Sequence, residues 1–228
     1  MTFHRYAIYY TAPQGALATF GAAWLGWDIA TGKSVDHPIV DGLPEPISEI
    51  TGIPRKYGFH GTIKPPFRLA DGKNSDDLIN AISALADNLS PVTLPGLELT
   101  KLGSFLALTP VGDQTKLIEL AAGVVRNLDH FRRPLSDEDL ARRRKARLSP
   151  RQEQNLLQWG YPYVMQDFRF HLTLTGRLAR SDAKQVETAL RPTLAPVLPA
   201  PFVISDLTLA GEDDTGRFHE IRRFALRG

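Results

Sequence analysis

"KYGFHGTIKPPF", residues 56–67, sets an imidazole at His60 and a hydroxyl at Thr62 within an otherwise apolar stretch. "FRFHLTLTG", residues 168–176, repeats the arrangement with Phe170, His171, Thr173 and Leu174. Side chains alternate across a strand, so residues two apart share a face. His60, Thr62 and Lys64 therefore point one way, and Phe59, Ile63 and Phe67 the other. In the second stretch Arg169, His171, Thr173 and Thr175 share one face, opposite Phe168, Phe170, Leu172 and Leu174. Each strand separates its polar set from its apolar set, so one face packs on helices and the other lines something wet.

Short strands and helices surround these two segments. "RYAIYY" (5–10) reads as a strand, followed by an Ala- and Trp-rich helix at about 15–27 and a long loop over 31–55 with one short helix near 46–51. Pro65-Pro66 is expected to stop the first motif strand. Ser75 reads as the N-cap of a helix carrying Leu78, Ile82, Leu85 and Leu89. Strands follow at about 92–100 and 103–109, then a helix from about 114 to 131. Residues 136–159 read as two helices. Ser136 caps the first, which runs from an acidic turn to the basic "RRRKAR"; Ser149, Pro150 and Gln152 open the second. After the second motif, Ser181 is expected to cap a helix ending at Pro192, with final strands at about 201–210 and 217–226.

From His60 onward the order is strand, capped helix, strand, strand, and from His171 onward it is the same. Strand–helix–strand units with antiparallel hairpins predict an α+β fold: two duplicated lobes with two antiparallel sheets facing a central cleft. Residues 1–228 form one bilobal domain on this reading, with a helical insertion at about 135–165. By composition alone, two His-x-Thr pairs among six histidines are unremarkable, and the plain alternative is a pair of half-exposed strands. Context favours function. Both copies place Phe before His and an aliphatic after Thr, both open the same supersecondary unit, and both carry basic or hydroxyl groups on the same face.

The two segments resemble the paired His-x-Thr/Ser motifs of the two-histidine (2H) phosphoesterase superfamily, which includes 2′,3′-cyclic phosphodiesterases and 2′-5′ RNA ligase-like proteins. The resemblance covers both motifs and the element order. "RYAIYY" and the two motif segments also resemble a bacterial branch found beside genes for phosphonate use. The helical insertion departs from the minimal pattern and bears on substrate access. The resemblance implies a metal-independent phosphoesterase with His60, Thr62, His171 and Thr173 as its catalytic groups.

The chemistry gives a separate reason for such a set. Phosphodiester hydrolysis needs a base for the attacking water, an acid for the leaving alkoxide and donors for the phosphoryl oxygens. Two imidazoles on opposite walls of a cleft can divide the acid and base roles. Threonine hydroxyls can reach the non-bridging oxygens, and Lys64, Arg169, Thr175, Arg5 and Tyr57 are candidates for substrate binding. Arg5 could instead form a surface ion pair. No His-x-His or His-Glu-x-x-His cluster appears, so no metal or other cofactor is expected. An RNA-processing or RNA-ligating protein could use the same residues, as could a non-catalytic module that holds a phosphorylated ligand. The basic run Arg142, Arg143, Arg144, Lys145 and Arg147 reads as a solvated helix terminus, with an RNA contact as its rival. Tyr6 and Tyr163 could line the cleft or simply pack. His4, His37, His130 and His219 lack a Thr partner and read as structural or exposed.

The chain has 228 residues, a formal net charge of +2 and no cysteine, which removes disulfides, thiolate metal sites and cysteine nucleophiles. A mild positive charge suits an anionic ligand, such as a small phosphorylated molecule or a nucleotide or RNA end, without requiring nucleic acid. "MTFHRYAIYYTAP" lacks a signal-peptide pattern and "GALATFGAAWLGWDIA" meets Asp28 too soon to span a bilayer, so a soluble, cytoplasmic protein with no membrane contact is expected.

Overall fold

The computed structural model describes residues 2–228. The chain begins with β1 (Arg5–Thr11), α1 (Ala16–Leu25), β2 (Trp27–Asp28), β3 (Lys33–Ser34) and two single-turn helices, α2 (Ile47–Ile50) and α3 (Gly52–Arg55). The first motif strand, β4 (His60–Phe67), leads into α4 (Ser75–Ala86), β5 (Val92–Leu94), β6 (Leu97–Leu102) and β7 (Phe105–Pro110). Next come α5 (Thr115–Asn127), a 3-10 turn at Asp129–Phe131, α6 (Asp137–Arg144) and α7 (Pro150–Trp159). The second motif strand, β8 (Leu172–Thr173), leads into α8 (Arg180–Leu194), β9 (Phe202–Ile204), β10 (Asp206–Glu212) and β11 (Phe218–Ala225).

The fold is α+β, and a strand, a helix and three strands occur twice in the same order. Each unit has one more strand than the sequence suggested. Pro95-Gly96 separates β5 from β6, and Ser205 separates β9 from β10. The detached strands β5 and β9 pair with each other, antiparallel, through Val92↔Ile204, Thr93↔Val203 and Leu94↔Phe202. Seven other strands form one antiparallel sheet in the order β11-β10-β1-β4-β8-β7-β6. Each unit lends its hairpin to the other: β6–β7 pairs with β8, while β10–β11 reaches β4 through β1. The two expected sheets are the two halves of this order. They join at one pair, Gly61↔Leu172.

Several local expectations change in the fold. β4 runs through Pro65-Pro66 to Phe67, because the ladder with β1 shifts register between Ile8↔Lys64 and Tyr6↔Phe67. A bulge there removes the need for the N–H that proline lacks. Asn74, not Ser75, caps α4 by accepting from Asp77 N at 2.9 Å. Ser181 lies inside α8, with its hydroxyl on Asp182, and Ala179 takes the cap position. Pro192 does not end α8, which continues to Leu194. Pro192 is exposed, so the carbonyl it frees can turn to water, while buried Leu190 and Leu194 hold the helix down. The second motif contributes only Leu172 and Thr173 to the ladder, because Leu174 N and Thr175 N both donate to the Leu106 carbonyl. Ser136 and Ser149 cap α6 and α7 as expected, the latter with a complete capping box.

The main core lies on the apolar face of the sheet, where Ile8, Ile63, Leu108 and Leu172 meet Trp24, Leu78, Val124 and Val186 from the helices. A small second cluster of Ala7, Tyr9, Ile29, Ala210 and Phe218 sits on the other face, with Tyr57 packed against it. A third cluster, Ala122, Val125, Val164 and Met165, fastens the segment after α7 to α5. Among the described residues no helix is long and apolar enough to cross a membrane.

Candidate active site

The site is built at the joint between the two halves. Gly61 faces the core, where a Cβ would stand 2.3 Å from the Phe170 ring, so this position tolerates only glycine without a shift. Leu172 opposite is fully buried. Alternation then puts His60, Thr62, His171 and Thr173 together on the other face. Antiparallel pairing about Gly61↔Leu172 sets His60 across from Thr173 and Thr62 across from His171. Directly opposed side chains have Cβ atoms about 4.5–5.5 Å apart. Both sequence motifs therefore converge on one small patch of sheet.

The imidazoles are held the same way in both copies. His60 Nδ1 lies 2.9 Å from the Gly58 carbonyl, and His171 Nδ1 lies 2.8 Å from the Arg169 carbonyl, each two residues upstream. A carbonyl only accepts, so each Nδ1 carries the proton and each Nε2 is the ring nitrogen left available for other partners. Gly58 has φ +70°, a left-handed turn that aims its carbonyl back at the ring. Thr62 Oγ1 is 3.2 Å from His60 Nε2, so its hydroxyl donates to the unprotonated nitrogen. The Tyr9 ring stacks on His60 at 3.8 Å between centroids. Burial lowers the His60 pKa to about 4; the Gly58 hydrogen bond opposes this and the nearby His171 adds to it. The two imidazoles are thus close enough to sense each other's charge.

A cleft of about 820 Å³ opens over this patch, with His60, Thr62, Thr173, Arg5, Tyr9 and Tyr57 in its wall. His171 stands beside it, half-buried, its ring centroid 5.7 Å from that of Phe105. Arg5 reaches the cleft but is also ion-paired, since its guanidinium forks onto the Glu212 carboxylate. Three expected binding residues are placed differently. Lys64 is in the wall, yet only 1% exposed; its ammonium sits 3.4 Å from both the Val125 carbonyl and Asp129 Oδ1. Burial brings its pKa down to about 8, partly offset by Asp129. Thr175 is buried, its Oγ1 accepting from Leu106 N and donating to the Gly176 carbonyl, because the irregular pairing after Thr173 breaks the alternation. Arg169 is exposed outside the cleft wall and contributes its carbonyl to His171 instead. Tyr6 is buried in the core and Tyr163 is exposed away from the wall. His4, His37 and His219 are structural, bonded to Asp214, to the Ala23 and Trp24 carbonyls, and to Asp213.

The basic run is not simply a solvated terminus. Arg142 and Arg143 turn into the cleft wall, beside Arg132, Arg133 and Arg68, while Arg144 pairs outward with Glu153. Within the insertion the Asn155 amide donates to the Pro162 and Val164 carbonyls, and Arg132 ties the insertion to the body by bridging Asp129 and the Gln158 carbonyl. Among the described residues, two buried side-chain polar atoms have no partner, Tyr9 Oη and Arg143 Nε. Both residues line this cleft. An unmet buried donor costs about 1–3 kcal/mol, and both of these belong to residues of the same cleft wall. The alternation that places His60 and Thr62 together also places Arg5, Ala7 and Tyr9 on one face of β1, so Tyr9 was legible in "RYAIYY". Tyr161 and Glu212 had no comparable signal.

Among the described residues no three His, Asp or Glu side chains cluster in a way that could hold a metal. In a comparison with curated proteins, the chain is 36% identical over 231 residues to a "Ribose 1,5-bisphosphate phosphokinase PhnN" of Janthinobacterium sp. (strain Marseille), covering 98% of this chain and 51% of that protein. It is 31% identical over 179 residues to the protein of the same name from Laribacter hongkongensis (strain HLHK9), covering 78% and 41%. The chain thus spans about half the length of the curated relatives it matches. Among solved structures, E. coli LigT complexed with 3′-AMP aligns over the whole of both chains at 18% identity and a TM-score of 0.43. Residues 62–219, from Thr62 of the first motif to beyond the second, match a described family, and the chain belongs to it: "Protein of unknown function (DUF1045)".

Proposed function

We propose that this chain is a phosphoesterase that opens a cyclic phosphate or cleaves a phosphodiester, with His60 and His171 as its acid–base pair. What supports the reading above all is the duplicated presentation of the imidazoles. Each is fixed through Nδ1–H to the carbonyl two residues upstream, leaving two Nε2 atoms at one joint of the sheet. Burial keeps His60 neutral down to about pH 4, so at neutral pH its Nε2 is unprotonated and able to accept a proton. Its Nε2 takes a proton from water as the oxygen bonds to phosphorus. The bond to the leaving oxygen breaks, and His171, entering as imidazolium with Nε2 protonated as well as Nδ1, supplies that oxygen's proton and is left neutral. Thr62 and Thr173 donate to the non-bridging oxygens; Thr62 exchanges its contact with His60 for one with the phosphoryl group. Solvent then resets the two imidazoles.

The reaction needs no Lewis acid on this reading, and the whole chain acts as one bilobal unit with the insertion as a wall of the cleft. The name of the curated relatives puts phosphorylated sugars first among substrates to try. A second reading, action on an RNA end, draws on Arg142 and Arg143 in the cleft wall. The test is turnover of a panel of cyclic phosphates, sugar phosphodiesters and RNA ends, with and without exhaustive chelation. His60→Ala and His171→Ala are each expected to lower the rate about 10²–10⁴-fold, while the wild-type rate survives chelation. Near-full turnover by both variants would leave the motifs as polar strand faces only.

A further inference from the structure

The histidines and threonines account for one anionic group, and the cleft is built for more. Eight basic side chains line it, Arg5, Lys56, Lys64, Arg68, Arg132, Arg133, Arg142 and Arg143. Among the described residues three carboxylates answer them: Glu212 on Arg5, Asp139 on Arg142, and Asp129 shared by Lys64 and Arg132. A surplus of five positive charges remains, far above the single negative charge of a diester.

The two orphaned donors mark where part of that surplus is used. Tyr9 is fully buried, and its ring both supports His60 and packs beside Phe218. Phenylalanine would do that packing without a stranded hydroxyl. Burial holds the phenol well above its usual range, so it remains an O–H donor. Arg143 lies with its guanidinium 5.0 Å from the Tyr161 ring centroid, its Nε unmet and its pKa lowered chiefly by burial, close enough to Arg5 to feel its charge. The Glu212 carboxylate, an acceptor in the same wall, is taken up by the Arg5 fork and answers neither Tyr9 Oη nor Arg143 Nε.

We propose that Tyr9 and Arg143 form a second anion subsite, which takes a phosphoryl group of the substrate other than the one attacked at the histidines. The substrate is then a small molecule carrying two phosphoryl groups, one a diester and one a monoester. This rests on the phosphoesterase reading and adds to it. A monoester contributes about two negative charges near neutral pH, which the uncompensated cations can balance. The arginine and the phenol supply the hydrogen-bond donors that an anion's oxygens accept. A cleft of about 820 Å³ walled by the insertion has the size of a small-molecule pocket, typically about 300–1,000 Å³, and favours such a substrate over a polymer.

The test compares equilibrium binding of ribose 5-phosphate with that of ribose 1,5-bisphosphate, which carries in place of the diester the monoester its opening would leave, by calorimetry to the wild type, Tyr9→Phe and Arg143→Gln. The wild type is expected to bind the bisphosphate at least about tenfold tighter, the size of one good charge-assisted contact, and each variant to bring that ratio towards one. Tyr9→Phe removes only an unpaired hydroxyl, so its fold should persist, as thermal melting without ligand would verify. Equal affinities in the wild type, or a preference unchanged in both variants, would overturn the subsite. Tighter binding of a single-stranded RNA oligonucleotide, lost in Arg143→Gln, would overturn it in favour of nucleic acid. Hydrolysis is scored separately. A chain that binds the bisphosphate through Tyr9 and Arg143 yet turns over no diester keeps the subsite and loses the phosphoesterase reading.

Discussion

His60 carries a folded-state pKa of about 4 against an ordinary 6.5, so an unfolded chain takes up a proton in that interval that the native site refuses. The contribution to stability is whole above 6.5 and is lost as the pH falls towards 4, with a slope of up to about 1.4 kcal/mol per pH unit. Denaturant titrations across this window should show that loss, and His60→Gln should flatten it. If His60 is the base, as proposed, the same shift should set the acid limb of kcat/KM near pH 4, since that profile reports the free protein. In kcat the limb should move up, because a bound phosphoryl anion favours imidazolium. Coincident limbs at pH 6.5 would contradict a buried base. Lys64 makes a different point at this scale. Its ammonium is withdrawn from water and weakly held at 3.4 Å, and Asp129 keeps Arg132 at 2.8 Å without it. Lys64→Met should therefore leave stability unchanged or raise it by about 1 kcal/mol, read from urea unfolding. A loss of several kcal/mol would mean the pair is a net stabiliser.

Between β4 and β8 the joint is one residue pair wide, and its closeness depends on Gly61 having no side chain over Phe170. Gly61→Ala forces the ring aside and should cost about 1–3 kcal/mol, the usual size of overpacking. Phe170→Leu makes room, so the double variant should recover part of that loss, and a double-mutant cycle would measure the coupling. Independent, additive effects would mean the contact does not set the approach of the two strands. Activity should fall with Gly61→Ala even though no cleft residue changes, because His60 and His171 flank the displaced pair.

The whole molecule exchanges hairpins between two similar units, and the insertion closes one side of the cleft at their joint. Its charge is concentrated rather than large. A net +2 over 228 residues hides eight basic side chains around one cavity. Charges in an open cleft are screened over about 10 Å at 0.1 M salt and about 3 Å at 1 M. Raising salt from about 0.05 to about 0.5 M should therefore raise KM for a phosphorylated substrate on the order of 3–10-fold, with kcat changing less than about twofold. A salt-insensitive KM would argue that the basic wall takes no part in binding.

The sequence by itself determined what depends on near neighbours. Alternation in "FHGTI" and "FHLTL" separated the His-Thr face from the core face, and the caps at Ser136 and Ser149 were readable because a cap needs only the next three residues. Repetition of the element order was legible for the same reason. Only the tertiary structure decided which hairpin joins which motif strand, since strand partners lie far apart in the chain: β7 meets β8, and β1 meets β10. It also decided the fate of Lys64, which alternation placed correctly but which Asp129, 65 residues away, holds out of solvent. Thr175 was lost to the core through a pairing irregularity with Leu106 that no local pattern records. Arg143 shows the limit most clearly. Composition made it the end of a solvated helix, and the packing of the insertion on α5 turned it inward to the cleft.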